Sequence, residues 1–234
     1  QAEKKGQISE GLRISEQEKT ENEIIINSTD EKIVPSVKSI PAWINDSLIV
    51  YTKISKPDKN GSKFFDLYQY DFNSGEEIQL TQGLRLHSPI YNPIKDDIIA
   101  LNTYDGTSNL IVGNRDFTEF EILTKFNNGI QIYSIALYNG DYLIDAVINH
   151  ERDLYIIDSS TGELEIMMKK PWDLRDPIYK NNSLVYSDDR YGIYNIYLKT
   201  EYDEGYVTNL TGGAFKPDIS KDGKIVFSLL SCLW

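Results

Sequence analysis

The chain reads as an all-β protein, a β-propeller built from four-stranded antiparallel blades, with about four and a half repeats present. Three observations lead there. From about residue 35 onward, short runs rich in Ile, Val, Tyr and Leu alternate with Gly, Asn, Asp and Ser clusters, and no long stretch shows helical periodicity. A proline-led element recurs along the chain. A second element, made of a strand, a polar turn and another strand, follows it with the same period.

The first element is a proline, an aromatic or apolar residue two positions on, a polar turn and an apolar run. It occurs at Pro41-Ala-Trp43 before LIVYT, Pro89-Ile-Tyr91 before DIIALNT, Pro177-Ile-Tyr179 before SLVYS and Pro217-Asp-Ile219 before KIVFS. A degenerate copy without proline, SIALYNGDYLIDAV, begins at Ser134, and the spacings are 48, 45, 43 and 40 residues. The second element appears as DLYQYDFNSGEEIQLTQG, NLIVGNRDFTEFEILTKF, DLYIIDSSTGELEIMMKK and NIYLKTEYDEGYVTNLTGG. Its second residues, Leu67, Leu110, Leu154 and Ile196, lie 43, 44 and 42 residues apart. Two elements that keep one period and one phase define a repeat, and a unit of about 40–48 residues with four short strands is a propeller blade.

Within each blade the proline element supplies strands A and B, and the second element supplies C and D. A twisted four-stranded sheet buries its faces against its neighbours, so blades stack around an axis. Proline is expected where strand A begins, because no ladder hydrogen bond is needed there. The Asp-Gly and Asn-Asp pairs are expected to supply the unusual backbone angles of a tight A–B hairpin. Tyr68, Tyr155 and Tyr197 share one slot in strand C, which points to core packing rather than a binding stripe.

The blades are expected at about 36–83, 84–129, 130–173 and 174–213, with an incomplete one at 214–234, all within residues 35–234. Residues 1–34 read as a polar segment or linker: Ile8 and Leu12 share one helix face, Ser15 and Glu18 form a possible capping box, and Ile24 to Ile26 form one possible strand. The last repeat stops after strand B and the chain begins with Gln1, so a piece of a longer protein is expected.

At these residues the chain resembles the TolB-like propeller family, whose strand pair runs roughly P-x-[YF]-S-P-D-G-x-x-I-x-[YF]-[ST]. Pro217, Ile219, Ser220, Asp222, Gly223, Ile225, Phe227 and Ser228 match that phrase well; Ser88, Pro89, Tyr91, Pro93 and Asp97 match it more loosely. A following phrase, S-D-[RD]-x-G-x-x-x-I-Y, resembles Ser187, Asp188, Arg190, Gly192, Ile196 and Tyr197. Leu80-Thr81 before Pro89 and Leu210-Thr211 before Pro217 resemble the family's closing L-T phrase. The third repeat departs by lacking the proline. The resemblance implies a propeller that binds a protein or peptide in the bacterial periplasm or at the cell surface. Related propellers also serve as accessory domains of prolyl oligopeptidases and dipeptidyl peptidases.

Composition narrows the chemistry. A formal net charge of −12 repels phosphate, which disfavours nucleic acid and anionic membranes as partners. The single cysteine, Cys232, allows no intrachain disulfide and sits beside Trp234 in an apolar tail, as a buried, inert thiol would. No run approaches the roughly 18 apolar residues of a membrane span. No G-x-S-x-G elbow, phosphate loop or dinucleotide fingerprint is present. His150-Glu151 begins like a zinc-peptidase motif, but Leu154 stands where a second histidine would be needed, so His150 reads as a loop residue. His87 reads as a packing or surface residue just before strand A. Asp105, Asp188 and Asp189 lie near turn glycines but lack calcium-loop spacing, so they read as turn caps. No catalytic residue, metal or cofactor is expected.

The remaining candidates are in the B–C loops, which in a propeller gather with the D–A connections over the axial channel. They contribute Tyr104 and Asp105, Glu151 and Arg152, and Asp189, Arg190 and Tyr191. Arg and Tyr are favoured at interface hot spots, although the same residues also serve simply to close a turn. Two functions follow: a non-enzymatic protein- or peptide-binding propeller, or the accessory propeller of a larger serine hydrolase whose catalytic domain lies elsewhere. A G-x-S-x-G with downstream Asp and His in flanking sequence would mark the second. A glycan-binding propeller is less attractive, because none of the three tryptophans occupies a repeated loop slot.

Overall fold

The computed structural model describes residues 40–57 and 59–230. The candidate strand at Ile24 to Ile26, the helix face of Ile8 and Leu12, the capping box at Ser15 and the Cys232–Trp234 tail lie outside the described residues. The first sheet contains β1 (Ala42–Trp43), β2 (Leu48–Ile54), β3 (Phe65–Asp71) and β4 (Glu76–Gln79). The second contains β5 (Leu86–Asn92), β6 (Asp97–Tyr104), β7 (Thr107–Asn114) and β8 (Phe120–Ile122). The third contains β9 (Gln131–Tyr138), β10 (Asp141–Ile148), β11 (Glu151–Ile157) and β12 (Leu164–Met168). The fourth contains β13 (Leu174–Lys180), β14 (Ser183–Asp188), β15 (Asn195–Lys199) and β16 (Glu204–Tyr206), and β17 (Ala214–Ile219) pairs with β18 (Ile225–Leu229). Every sheet is an antiparallel meander in chain order, and the described residues contain no helix.

The sheets are the antiparallel blades of a partial propeller, and the core lies between them. Val50 and Leu67 of the first sheet pack with Leu86, Ile98 and Ala100 of the second. Leu101 and Leu110 pack with Ile132, Ile144 and Tyr155 of the third. Leu143 and Leu154 pack with Leu174, Leu184 and Tyr186 of the fourth, and Val185 and Ile196 pack with Ala214 and Ile219. The strand-C residue that set the repeat thus faces the next blade each time. The first strands of successive blades lie together, β5 against β9, β9 against β13 and β13 against β17. Tyr68, Tyr155 and Tyr197 are buried, as core packing requires.

The proline expectation holds at Pro41, directly ahead of β1, and needs correction at the other three. Pro89, Pro177 and Pro217 sit inside β5, β13 and β17, not at their starts. Each lies at a bulge, where the register shifts between His87 and Ile90, Arg175 and Ile178, and Phe215 and Asp218. Two residues of strand A there face one of strand B, so no ladder bond is asked of the proline nitrogen. The residues ahead of the prolines, Ser88, Asp176 and Lys216, have φ of 52°, 49° and 51°. The third blade keeps the bulge without a proline, Tyr133 being the extra residue. His87 is accordingly within β5, with Nε2 2.9 Å from Thr103 Oγ1.

Tight A–B hairpins form where two residues adopt positive φ, at Asn139-Gly140 and Asn181-Asn182. Asn45-Asp46 does not: Asn45 instead accepts from Ser47 N at 2.9 Å. A second repeated device closes the blades. Thr81, Thr124 and Thr208 each accept from the backbone of Leu67, Leu110 and Ile196 at 2.9 Å. Each hydroxyl donates in turn to Asp66, Asn109 or Asn195. Those side chains also take backbone N–H groups of the loop leading to the next blade, such as Leu84, Phe126 and Leu210. In the first, second and fourth blades one buried polar pair therefore fixes the crossover and satisfies groups that burial would otherwise penalise.

Candidate interaction face

The meander places the B–C and D–A connections of every blade at one end and the A–B and C–D turns at the other. The fourth and fifth blades are level at both ends, since Lys216 N donates to Asp176 Oδ2 at 3.2 Å and Lys180 Nζ reaches Asp218 Oδ1 at 2.7 Å. At the turn end Lys95 of the second blade reaches Ser159 of the third at 3.0 Å. All seven loop candidates therefore share one face, in three clusters.

Tyr104 ends β6 with 60% of its surface exposed, and Asp105 begins the two-residue turn to β7 with φ 48°. The Arg85 guanidinium lies 5.6 Å from the Tyr104 ring and 4.7 Å from that of Phe64. In the third blade Glu151 pairs with Lys169 at the surface. Arg152 turns inward, and its Nε is 2.7 Å from Asp145 Oδ2 while Nη2 binds the same carboxylate. Burial pushes the Asp145 carboxyl above the usual range, against the opposing pull of Arg152 and of the Ser134 hydroxyl. The Arg152 guanidinium also covers the Tyr133 ring at 4.1 Å.

In the fourth blade Asp189 accepts from Asp173 N at 2.9 Å. Arg190 grips both oxygens of buried Asp188, reaches Glu204 at 3.3 Å and stacks 3.8 Å over Tyr197. Burial disfavours that charge, but Asp188 and Glu204 outweigh it and hold the guanidinium above its ordinary pKa. Tyr191 projects with 80% of its surface exposed. The candidates thus divide. Tyr104, Asp105, Glu151 and Tyr191 are exposed, whereas Arg152 and Arg190 are held in internal ion pairs. His150 is a B–C turn residue with φ 71°.

Sequence reading missed Arg85, Tyr133, Asp145 and Arg175. Arg175 lies in β13, stacks 4.2 Å over Tyr194 and gives one terminal nitrogen to Asp173 at 3.1 Å. Its Nε and the hydroxyl of Ser187, its cross-strand partner, are buried without partners. A usable signal was present, since an Arg next to the start of strand A belongs to the same end as the B–C loops. Of the five arginines among the described residues, four lie on this face, each over an aromatic ring. Among the described residues no group of His, Cys, Asp and Glu is placed to hold a metal, and no helix is long and apolar enough to cross a membrane.

No protein-family model matches the sequence, and no curated protein matches it. Solved structures do. TolB from Acinetobacter baumannii superposes with a TM-score of 0.62 at 17% identity, over 77% of this chain and 46% of that one. A putative TolB from Agrobacterium tumefaciens gives 0.61 at 15% identity, over 79% and 71%. The fold is that of a TolB-like propeller. The propeller spans less than half the length of the Acinetobacter protein. A chain of a nidogen/laminin complex gives 0.62 at 12% identity over 81% of this chain and 70% of that one. A prolyl endopeptidase gives 0.60 at 9% identity, but over only 31% of its own length.

Proposed function

We propose that this propeller is a non-enzymatic binding domain of a bacterial periplasmic or cell-surface protein, and that it takes a protein or peptide on the face of its B–C and D–A connections. The observation that carries the reading is the set of exposed aromatics there. Tyr104, Tyr133 and Tyr191 are presented on tight turns or on a bulged inner strand. Their supports are rigid, so little conformational entropy is lost on binding. The likeness to TolB structures supports the extracytoplasmic setting.

Affinity capture from an extracytoplasmic fraction tests this, comparing the intact propeller with Tyr104→Asp and Tyr191→Asp and with Asp222→Lys at the opposite end. A partner lost with either tyrosine variant and kept with Asp222→Lys supports the reading. A partner indifferent to both tyrosines refutes it. The likeness to a prolyl endopeptidase propeller supports a second reading, in which the domain gates a hydrolase. A peptidase domain encoded in the same reading frame, with peptide-size selectivity lost on deleting the propeller, would favour that one.

A further inference from the structure

The overall charge of −12 is unevenly distributed along the blade axis. Among the described residues, the A–B and C–D turns carry nine acidic and four basic side chains. The B–C and D–A connections carry three acidic and eight basic ones. An acidic protein therefore presents one basic end, the end with the exposed tyrosines.

The cations at this end, those in the adjoining strands included, differ in how they are paired. Arg152 and Arg190 are neutralised by buried aspartates and act as scaffolding. Arg85 and Lys216 are exposed, and neither side chain has an ion pair among the described residues. Arg85 is held over Phe64 and Tyr104, which leaves its planar N–H edge for in-plane acceptors. Lys216 projects from the bulge of β17, beside the bulge of β13. Arg175 lies on that neighbouring strand with a single terminal nitrogen committed.

Resting on the reading of this face as a peptide-binding surface, we propose that its ligand is an acidic peptide segment, whose carboxylates meet Arg85 on the second blade and Arg175 and Lys216 where the fourth and fifth blades adjoin. The acidic turns at the far end repel such a ligand and the basic end attracts it, so the field orients the encounter before contact. A nucleic acid fits less well. Its phosphates are closely and evenly spaced, whereas Asp105, Asp173, Asp176 and Asp189 interrupt the basic face, and a peptide can place its carboxylates between them.

The test is fluorescence anisotropy with three labelled peptides of equal length, Glu-rich, Gln-rich and Lys-rich, and a labelled single-stranded oligonucleotide, at low and at physiological salt. The Glu-rich peptide is expected to bind best and to weaken as salt rises. Arg85→Glu and Lys216→Glu are each expected to weaken it about tenfold, as close charge reversals do, while Lys224→Glu at the far end leaves it unchanged. Circular dichroism spectra matching the parent establish that the variants are folded. Equal or tighter binding of the Gln-rich or Lys-rich peptide, lost in Tyr104→Asp, overturns the acidic preference and leaves the peptide-binding face standing. Preferential oligonucleotide binding, or indifference to both Glu variants, overturns the proposal. Failure of all three peptides to bind overturns the proposal and the peptide reading together.

Discussion

The third and fourth blades share a meander, a strand-C apolar slot and a bulged inner strand, yet they are held by different polar chemistry. In the fourth, Thr208 links Ile196 N to Asn195, as its counterparts do in the first two blades. In the third, Met168 occupies that position and packs into the apolar cluster with Leu143 and Leu154. Asp153 is left with one oxygen on Lys170 N at 3.0 Å and the other buried without a partner, and burial pushes its carboxyl up. The third blade has instead the inward Arg152–Asp145 pair, whereas Asp188 of the fourth blade is held by an arginine from the B–C loop. The apolar slots are the invariant part of the blade, and the polar closures vary from blade to blade, at the cost of an unpaired Asp153 oxygen in the third.

Asp145→Ala tests the third blade's own solution and is expected to have the largest effect. It leaves Arg152, whose side chain is 10% exposed, without its carboxylate. A loss of about 3–5 kcal/mol in urea unfolding is the usual result of breaking a buried pair from one side. Leu110→Ala and Leu154→Ala test the shared slot. Both side chains are fully buried, so each is expected to lose about 2–5 kcal/mol by the same measurement, with no discount for the third blade. A clearly smaller loss for Leu154→Ala would break the equivalence of the blades.

The closure itself gives smaller effects. Thr124→Val and Thr208→Val remove a hydroxyl that both accepts and donates, with an expected loss of about 1–3 kcal/mol. The smallest effect concerns Tyr142, in the third blade, where burial and nearby Asp97 and Asp141 push the phenol up to about 12 and its hydroxyl has no partner. Because the folded state keeps this proton longer than the unfolded chain, stability is expected to fall as pH rises from about 10 to 12. Tyr142→Phe should reduce that slope in pH-dependent melting, without loss at neutral pH.

What was legible in the residues follows from which forces repeat. Each blade must place an apolar side chain against its neighbour at the same depth, so Leu67, Leu110, Leu154 and Ile196 recur in register and reveal period, strand number and architecture. The turn chemistry was half legible. Of the Asp222-Gly223 pair only Gly223 adopts a positive φ, 83°, while Asn45 spends its side chain on capping Ser47. Three of the prolines were placed one step wrong, because Leu86-His87, Leu174-Arg175 and Ala214-Phe215 become strand only by pairing with a partner strand.

The face was legible only as loops. Local sequence assigned Tyr104, Asp105, Glu151, Arg152, Asp189, Arg190 and Tyr191 to B–C loops, whereas Tyr104 closes β6 and Glu151 and Arg152 open β11. It did not show that Arg152 and Arg190 turn inward, because their carboxylates are on neighbouring strand positions whose orientation depends on register. Periodic burial is a property of spacing along the chain, and so the amino acids alone specified the blades. Which charges are neutralised, which remain at the surface and which end of the axis is basic depend on residues far apart in the chain meeting across strands and blades, and only the assembled sheets settled them.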